Sequence, residues 1–253
     1  MPDYRGISPE VNGGADLGST TQRWNKLYAQ SIDAGTRVNG AFNKKETFTT
    51  SGTFVAPVTG VYRITLQGGG GGGGSNGGTH DLKGSSGGGG QGGFGYAYEK
   101  LIAGTSYSYV VGAGGPAGTE AGGNGGGGGN TSITVNGNAY VASGGYGGSA
   151  GWNTVNPGGG GQGGPFTING TTVSKGACGT SGGNISTTKA NQLGGYGGGP
   201  GGGLIYINTI TNGMFGGGGA GGNTKVSSDF KEIQLGSVGG DGYIVFEYYD
   251  PTA

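Results

Sequence analysis

Glycine in this chain comes in runs: 68–74, 87–90, 122–129 (broken once by Asn124), 158–161, 194–203 (with Tyr196 and Pro200) and 216–222 (with Ala220). Glycine has no side chain to bury and loses the most conformational freedom on ordering, so a single run reads as a linker. Six runs recurring between strand-like segments read as a structural unit. Only eight of the 73 glycines precede Gly68, so the composition changes at Gln67-Gly68. Collagen needs glycine at every third position with abundant proline, and this chain has 8 prolines. Charge-driven disorder needs high net charge and few aromatics. Here 13 cations balance 13 anions, and the chain holds 14 Tyr, 8 Phe and 2 Trp.

Strand patterns flank and interrupt the runs. Glu46–Thr50 leads through Ser51-Gly52 into Thr53-Phe54-Val55, ended by Pro57. Val61, Arg63 and Thr65 alternate with Tyr62, Ile64 and Leu66, the period-2 signature of a half-buried strand. Phe94–Tyr98, Ser106–Val111 and Thr131–Val135 continue the series, and the last turns through Asn136-Gly137 into Asn138–Val141. Asn-Gly between alternating runs is a hairpin signal, because both central residues need positive φ. Gly242–Tyr249 closes the chain as a further strand. No helical periodicity appears after position 45, and the fold class expected is all-β.

The glycine runs can order as left-handed, three-residue-per-turn helices of the polyglycine II type. Such helices have no internal hydrogen bonds, so their amides and carbonyls must pair with neighbours. Without Cβ atoms the neighbours can approach closely enough to do so. Seven residues at ~3.1 Å rise span roughly 22 Å, the height of a small domain. The glycines then form the interior, and the segments joining them become loops at its ends.

The residues that follow carry a resemblance. Phe48-Thr-Thr-Ser-Gly-Thr-Phe-Val-Ala-Pro57, Val61–Gln67 with the run after it, Leu101–Gly115 ending in Val-Gly-Ala-Gly-Gly, and Gly239–Phe246 together resemble the glycine-rich domain at phage tail-fibre tips. Independently, Ile7-Ser8-Pro9, Gly14–Ser19 and Gln22–Ala29 are similar to a segment of tail-fibre and tail-spike proteins. Taken alone, that segment is ambiguous: Trp24, Leu27, Tyr28 and Ile32 fit one helix face, while 26–32 fits an edge strand equally well. The resemblance implies residues 1–45 as a fibre-like β segment for attachment and trimerisation. Residues 46–253 become a receptor-binding tip of β-strands and packed polyglycine II-type helices.

Catalytic chemistry finds little to work with. His80 and Cys178 are the sole residues of their types, so no metal-ligand pair exists at a useful spacing, and neither has an evident catalytic partner. The P-loop needs Gly-Lys-Ser/Thr, and Gly-Lys is absent. The calcium-binding glycine-rich nonapeptide needs an acid that the runs lack. Zero net charge without a basic tract argues against nucleic acid. No apolar stretch of about 18 residues is present. Met1–Arg5 lacks a basic-then-apolar leader pattern, and the Asn-x-Ser/Thr triplets at 130, 169 and 184 are read as chance matches. No enzyme, cofactor or metal is expected.

The remaining candidates are aromatics on small-residue loops, where rigid rings give contact area at low entropy cost. They are Trp152 and Asn153, Phe166 within 165–193 read as a loop, and Tyr206, Met214 and Phe215 within 204–215. Trp152 and Phe215 could equally seal the ends of the bundle. The resemblance implies a virion protein at the fibre tip, a homotrimer that binds a bacterial surface receptor (an outer-membrane protein or a polysaccharide) and contacts other tail or baseplate proteins. Two alternatives are an ice-binding protein on a glycine bundle and a purely structural virion component.

Overall fold

The alternation read along residues 61–66 sorts side chains as expected: Tyr62, Ile64 and Leu66 are fully buried, while Val61, Arg63 and Thr65 face the other way. The computed structural model describes residues 42–75, 85–119, 122–151, 158–181, 195, 197–199, 202–203, 205–206, 209–210, 212–219, 221 and 235–251. The chain divides into two units, Met1–Gly40 and Ala41–Ala253, and the first lies outside the described residues. The expected element at 24–32 falls there.

Among the described residues all regular structure is β. The strands are β1 (Lys44–Phe48), β2 (Gly52–Val55), β3 (Gly60–Gln67), β4 (Phe94–Leu101), β5 (Ser106–Val110), β6 (Thr131–Val135), β7 (Asn138–Ala142), β8 (Pro165–Ile168), β9 (Thr171–Lys175), β10 (Ile205–Tyr206), β11 (Thr209–Ile210) and β12 (Tyr243–Tyr248). They form two antiparallel sheets, ordered β1-β12-β3-β4 and β2-β5-β6-β7-β8-β9, plus the small β10-β11 pair. The sheets enclose an aromatic core. Phe246 stacks on Phe54 with ring centroids 4.0 Å apart, and Phe48 meets both rings edge-on. The buried hydroxyls find partners: Tyr62 donates to the Val58 carbonyl at 2.8 Å and Tyr248 to Glu46 at 2.7 Å. Burial, with Glu46 beside it, raises the Tyr248 phenol pKa well above its usual value.

Residues 165–175, read from sequence as loop, form the β8–β9 hairpin. Asn169 and Gly170 hold φ of 49° and 80°, matching Asn136 and Gly137 at 50° and 82° in the β6–β7 turn. Phe166 is consequently a core side chain, 1 % exposed, and not a surface contact. Its ring lies where a Cβ on Gly95 would stand, 2.1 Å from the nearest ring carbon, so β4 needs glycine there.

Most strands run straight into a glycine segment, and these segments bond to one another with a period of three. Gly68, Gly71 and Gly74 donate to the carbonyls of Gly93, Gly90 and Gly87. Gly69, Gly72 and Ser75 donate to Gly129, Gly126 and Gly123, and Gly70 and Gly73 to Gly240 and Ser237, all at 2.8–3.1 Å. In return Gly69 and Gly72 accept from Gly145 and Gly148, Gly70 and Gly73 from Gly115 and Gly118, and Gly71 from Gly219. One segment therefore has six bonded neighbours, three antiparallel and three parallel. A second, 85–93, is similarly surrounded, donating for example from Gly87, Gly90 and Gly93 to Ser149, Tyr146 and Ser143. A β-strand, whose bonds alternate between two sides, cannot serve six neighbours.

The hairpin turns at 102–105, 136–137 and 169–170, together with residues 42 and 251, lie at the end of the sheets away from the glycine segments. At the opposite end the described ends of the glycine segments pair with one another: Gly74 donates to Gly87, Gly87 to Ser149, Gly158 to Ser85, Gly195 to Ser86 and Gly221 to Gly195. The stretches 76–84, 152–157, 182–194 and 222–234 lie outside the described residues.

Candidate functional site

The outer face of the four-stranded sheet is built by the same alternation that builds the core. β4 turns Ala97 and Leu101 inward and presents Phe94, Tyr96 and Tyr98 to solvent, each more than 40 % exposed. Strand register sets them in rows. Lys45, Glu247, Arg63 and Tyr98 lie side by side, then Thr47, Val245, Thr65 and Tyr96, then Tyr243, Gln67 and Phe94. In the first row Arg63 Nε donates to Glu247 Oε2 at 2.5 Å, and that bond raises the guanidinium pKa further. Phe42 stacks over Tyr98, with centroids 6.5 Å apart, and closes that end of the aromatic row.

At the other end, where the sheet meets the glycine segments, the row opens into a cleft of about 520 Å3. It is lined by Phe94, Tyr243, Phe215, Gln91, Ser174 and Lys175, with Gln67 and Gly176 at its base. A shallower groove of about 290 Å3 shares Phe94 and Tyr243 and continues over Tyr96 to the Arg63–Glu247 pair. Several walls are held by main-chain contacts. Gln67 Nε2 donates to the Gly92 and Gly93 carbonyls, Gln91 Oε1 accepts from the Ala177 amide, and the Ser174 hydroxyl donates to the Phe94 carbonyl at 2.7 Å. Partial burial raises the Tyr243 phenol pKa above its usual value.

Phe215 sits on a tight turn. The Gly217 amide donates to the Met214 carbonyl at 2.8 Å, and the central residues Phe215 and Gly216 have φ of 47° and 77°. This is the left-handed type I′ arrangement, which costs Asn and Gly little and a bulky residue more. The turn leaves Phe215 64 % and Met214 59 % exposed.

Of the residues expected from sequence to form a contact surface, Met214 and Phe215 are thus exposed, close to the junction of β3 with its glycine segment. Phe166 is in the core. Tyr206 lies on β10, and its side chain is outside the described residues, as are Trp152 and Asn153. The cleft unites Phe215 with Phe94, Tyr243 and Lys175, which sequence reading treated only as strand or loop positions. The available signal was the placing of Phe94, Tyr96 and Tyr98 opposite Ala97 and Leu101, which commits the large rings to the solvent side.

The described residues of the cleft offer rings, two side-chain amides, a hydroxyl and an ammonium, and no acid–base pair. Among the described residues no group of three His, Cys, Asp or Glu side chains is placed to hold a metal. Such a surface is equipped to bind and orient. No curated protein matches the sequence significantly. The family model described as a glycine-rich domain matches residues 47–249, from β1 through β12, and the chain therefore belongs to the glycine-rich domain family.

Proposed function

We propose that the chain is a phage tail-fibre or tail-tip protein that binds a bacterial surface receptor without chemistry. The observation that carries the reading is the polarity of the main chain. Residue 42 enters at the sheet end, and the described ends of the glycine segments, Ser75, Ser85, Ser149, Gly158, Gly195 and Gly221, gather at the other. The glycine segments are read as polyglycine II-type helices, supported by their three-residue bond period and by the six neighbours of 68–75. A frame held by main-chain bonds leaves its joining segments free to differ in sequence, as recognition loops do. Residues 1–45 then attach the tip to the tail and assemble it as a homotrimer.

The test is binding of the purified full chain to a panel of bacterial strains, alongside sedimentation to obtain the subunit number. Binding to a subset of strains, abolished by Trp152→Ala with Asn153→Ala or by substitutions in another joining segment, is expected. Binding to no strain, or binding indifferent to every joining segment, defeats the adhesin reading. Thermal hysteresis in ice would favour the ice-binding alternative.

A further inference from the structure

We propose that the cleft between Phe94, Tyr243 and the Phe215 turn is a saccharide-binding site. Phe215 carries the argument. Its ring is 64 % exposed in a backbone conformation, φ 47°, that bulky residues rarely adopt. Neither burial nor backbone preference accounts for phenylalanine there in the free protein, and strained, exposed positions of this kind cluster at ligand-binding sites. The ring borders a cleft of about 520 Å3, within the range of small-ligand sites. The lining divides as a pyranose does. Phe94, Tyr243 and Phe215 supply apolar faces for C–H surfaces, while Gln91, Ser174 and Lys175 supply polar groups for hydroxyls.

The groove continuing over Tyr96 gives length for a second or third sugar, ending at the Arg63–Glu247 pair. Among the described residues lining the two grooves Glu247 is the only carboxylate, and it is held by Arg63, so a neutral or acidic saccharide meets no free like charge from them. An extended peptide fits less well. β4 pairs with β3 on one side, and on the other its Phe94 carbonyl is taken by Ser174 of β9, which obstructs strand addition there. The site lies where the strands meet the glycine segments, and none of its lining residues belongs to 76–84, 152–157, 182–194 or 222–234, so it can fail without affecting the adhesin reading, and the reverse also holds.

The experiment is saturation-transfer NMR and calorimetry of the full chain. The probes are glucose, galactose, N-acetylglucosamine, maltotriose and deacylated lipopolysaccharide core oligosaccharide. At least one probe should bind, with binding weakened tenfold or more by Phe94→Ala and by Phe215→Asn and unchanged by Val173→Ala on the exposed face of β9. Asn suits the left-handed turn, so Phe215→Asn should retain or raise the thermal midpoint while losing the saccharide. Absence of binding across the panel overturns the proposal, as does binding that survives both aromatic substitutions.

Discussion

Replacing Gly70 with Ala puts one methyl group into the middle of the glycine segments. An ideal Cβ there would stand 1.9 Å from the Gly217 carbonyl oxygen and 2.4 Å from its carbon. Real Cβ contacts closer than 3.0 Å are essentially unknown, so one backbone must move by about 1 Å. Neither is free to move. Gly70 donates to Gly240 at 2.8 Å and accepts from Gly115 at 2.7 Å, while Gly217 accepts from Gly240 at 2.9 Å. Breaking two or three such buried bonds costs about 1–3 kcal/mol for each group left unpaired. The expected loss is therefore about 3–6 kcal/mol, a large share of the ~5–15 kcal/mol typical of a domain. The lower chain entropy of unfolded Ala returns only ~0.4–1 kcal/mol. Gly159→Ala is the control, because nothing lies within 4 Å of its Cβ position. It should be neutral or stabilising by up to about 1 kcal/mol. Urea unfolding followed by tyrosine fluorescence measures both. A Gly70→Ala midpoint within error of Gly159→Ala would mean that the interior is not a backbone lattice closed to Cβ atoms.

Phe246 is fully buried and stacked on Phe54, so Phe246→Ala should cost about 3–5 kcal/mol in the same unfolding assay. Asn169 holds φ 49°, accepts from the Ala139 amide at 2.8 Å and donates to Asn138 at 3.0 Å. Asn169→Ala should therefore cost about 1–2 kcal/mol, and Asn169→Gly, which keeps the turn conformation, less. Burial pushes the Glu99 carboxyl up, but hydrogen bonds from Tyr140, Asn138 and Asn136 together outweigh it, and the net pKa is lowered from 4.5. A depressed carboxyl pKa adds stability above pH 4.5 that is lost as pH falls through the folded value. The advantage of wild type over Glu99→Gln should shrink on acidification, and a constant difference from pH 6 to pH 3 would contradict it. Burial, then Glu99, raises the Tyr140 phenol from 10.0 to about 12. Stability present below pH 10 should accordingly fall as pH rises toward 12, by less in Tyr140→Phe.

The strands that sequence reading recovered share a property: each spends alternate residues on the core. Val61–Leu66 and Thr131–Val135 do so visibly, and β12 sends Ile244, Phe246 and Tyr248 to the core while Val245 is buried as well. The β8–β9 hairpin escaped because β9 is exposed along its whole length and β8 starts at a proline, so period 2 is carried almost by Phe166 alone. Its Asn169-Gly170 turn carried the same signal that revealed the β6–β7 hairpin. The cleft was harder to foresee. Phe94 and Tyr243 are far apart in sequence and meet through β3, and Phe215 joins them through a turn whose left-handed conformation a phenylalanine does not advertise. Local pattern reports which face a residue takes; it does not report which distant segment ends beside it.

The two halves of the molecule use opposite means to the same end. The sheets are held by rings, and large side chains fix which residues pair. The glycine segments are held by main-chain bonds in three directions, which requires the absence of side chains at inward positions. Outward positions escape that requirement: Tyr146 is exposed beside Gly145 and Gly147, whose own Cβ positions overlap neighbouring carbonyls at 2.0 Å and 1.8 Å. Sequence freedom in this part of the fold is thus confined to every third residue and to the joining segments. Aromatic substitutions at outward positions should be tolerated where an alanine at the adjacent inward glycine is not. The two regimes touch where strands run into glycine segments, and there Gln67 ends β3 and spends its side-chain amide on the glycine carbonyls of 92 and 93. A cleft formed at that seam inherits rigid walls from both sides, which is the preorganisation a weakly held saccharide requires.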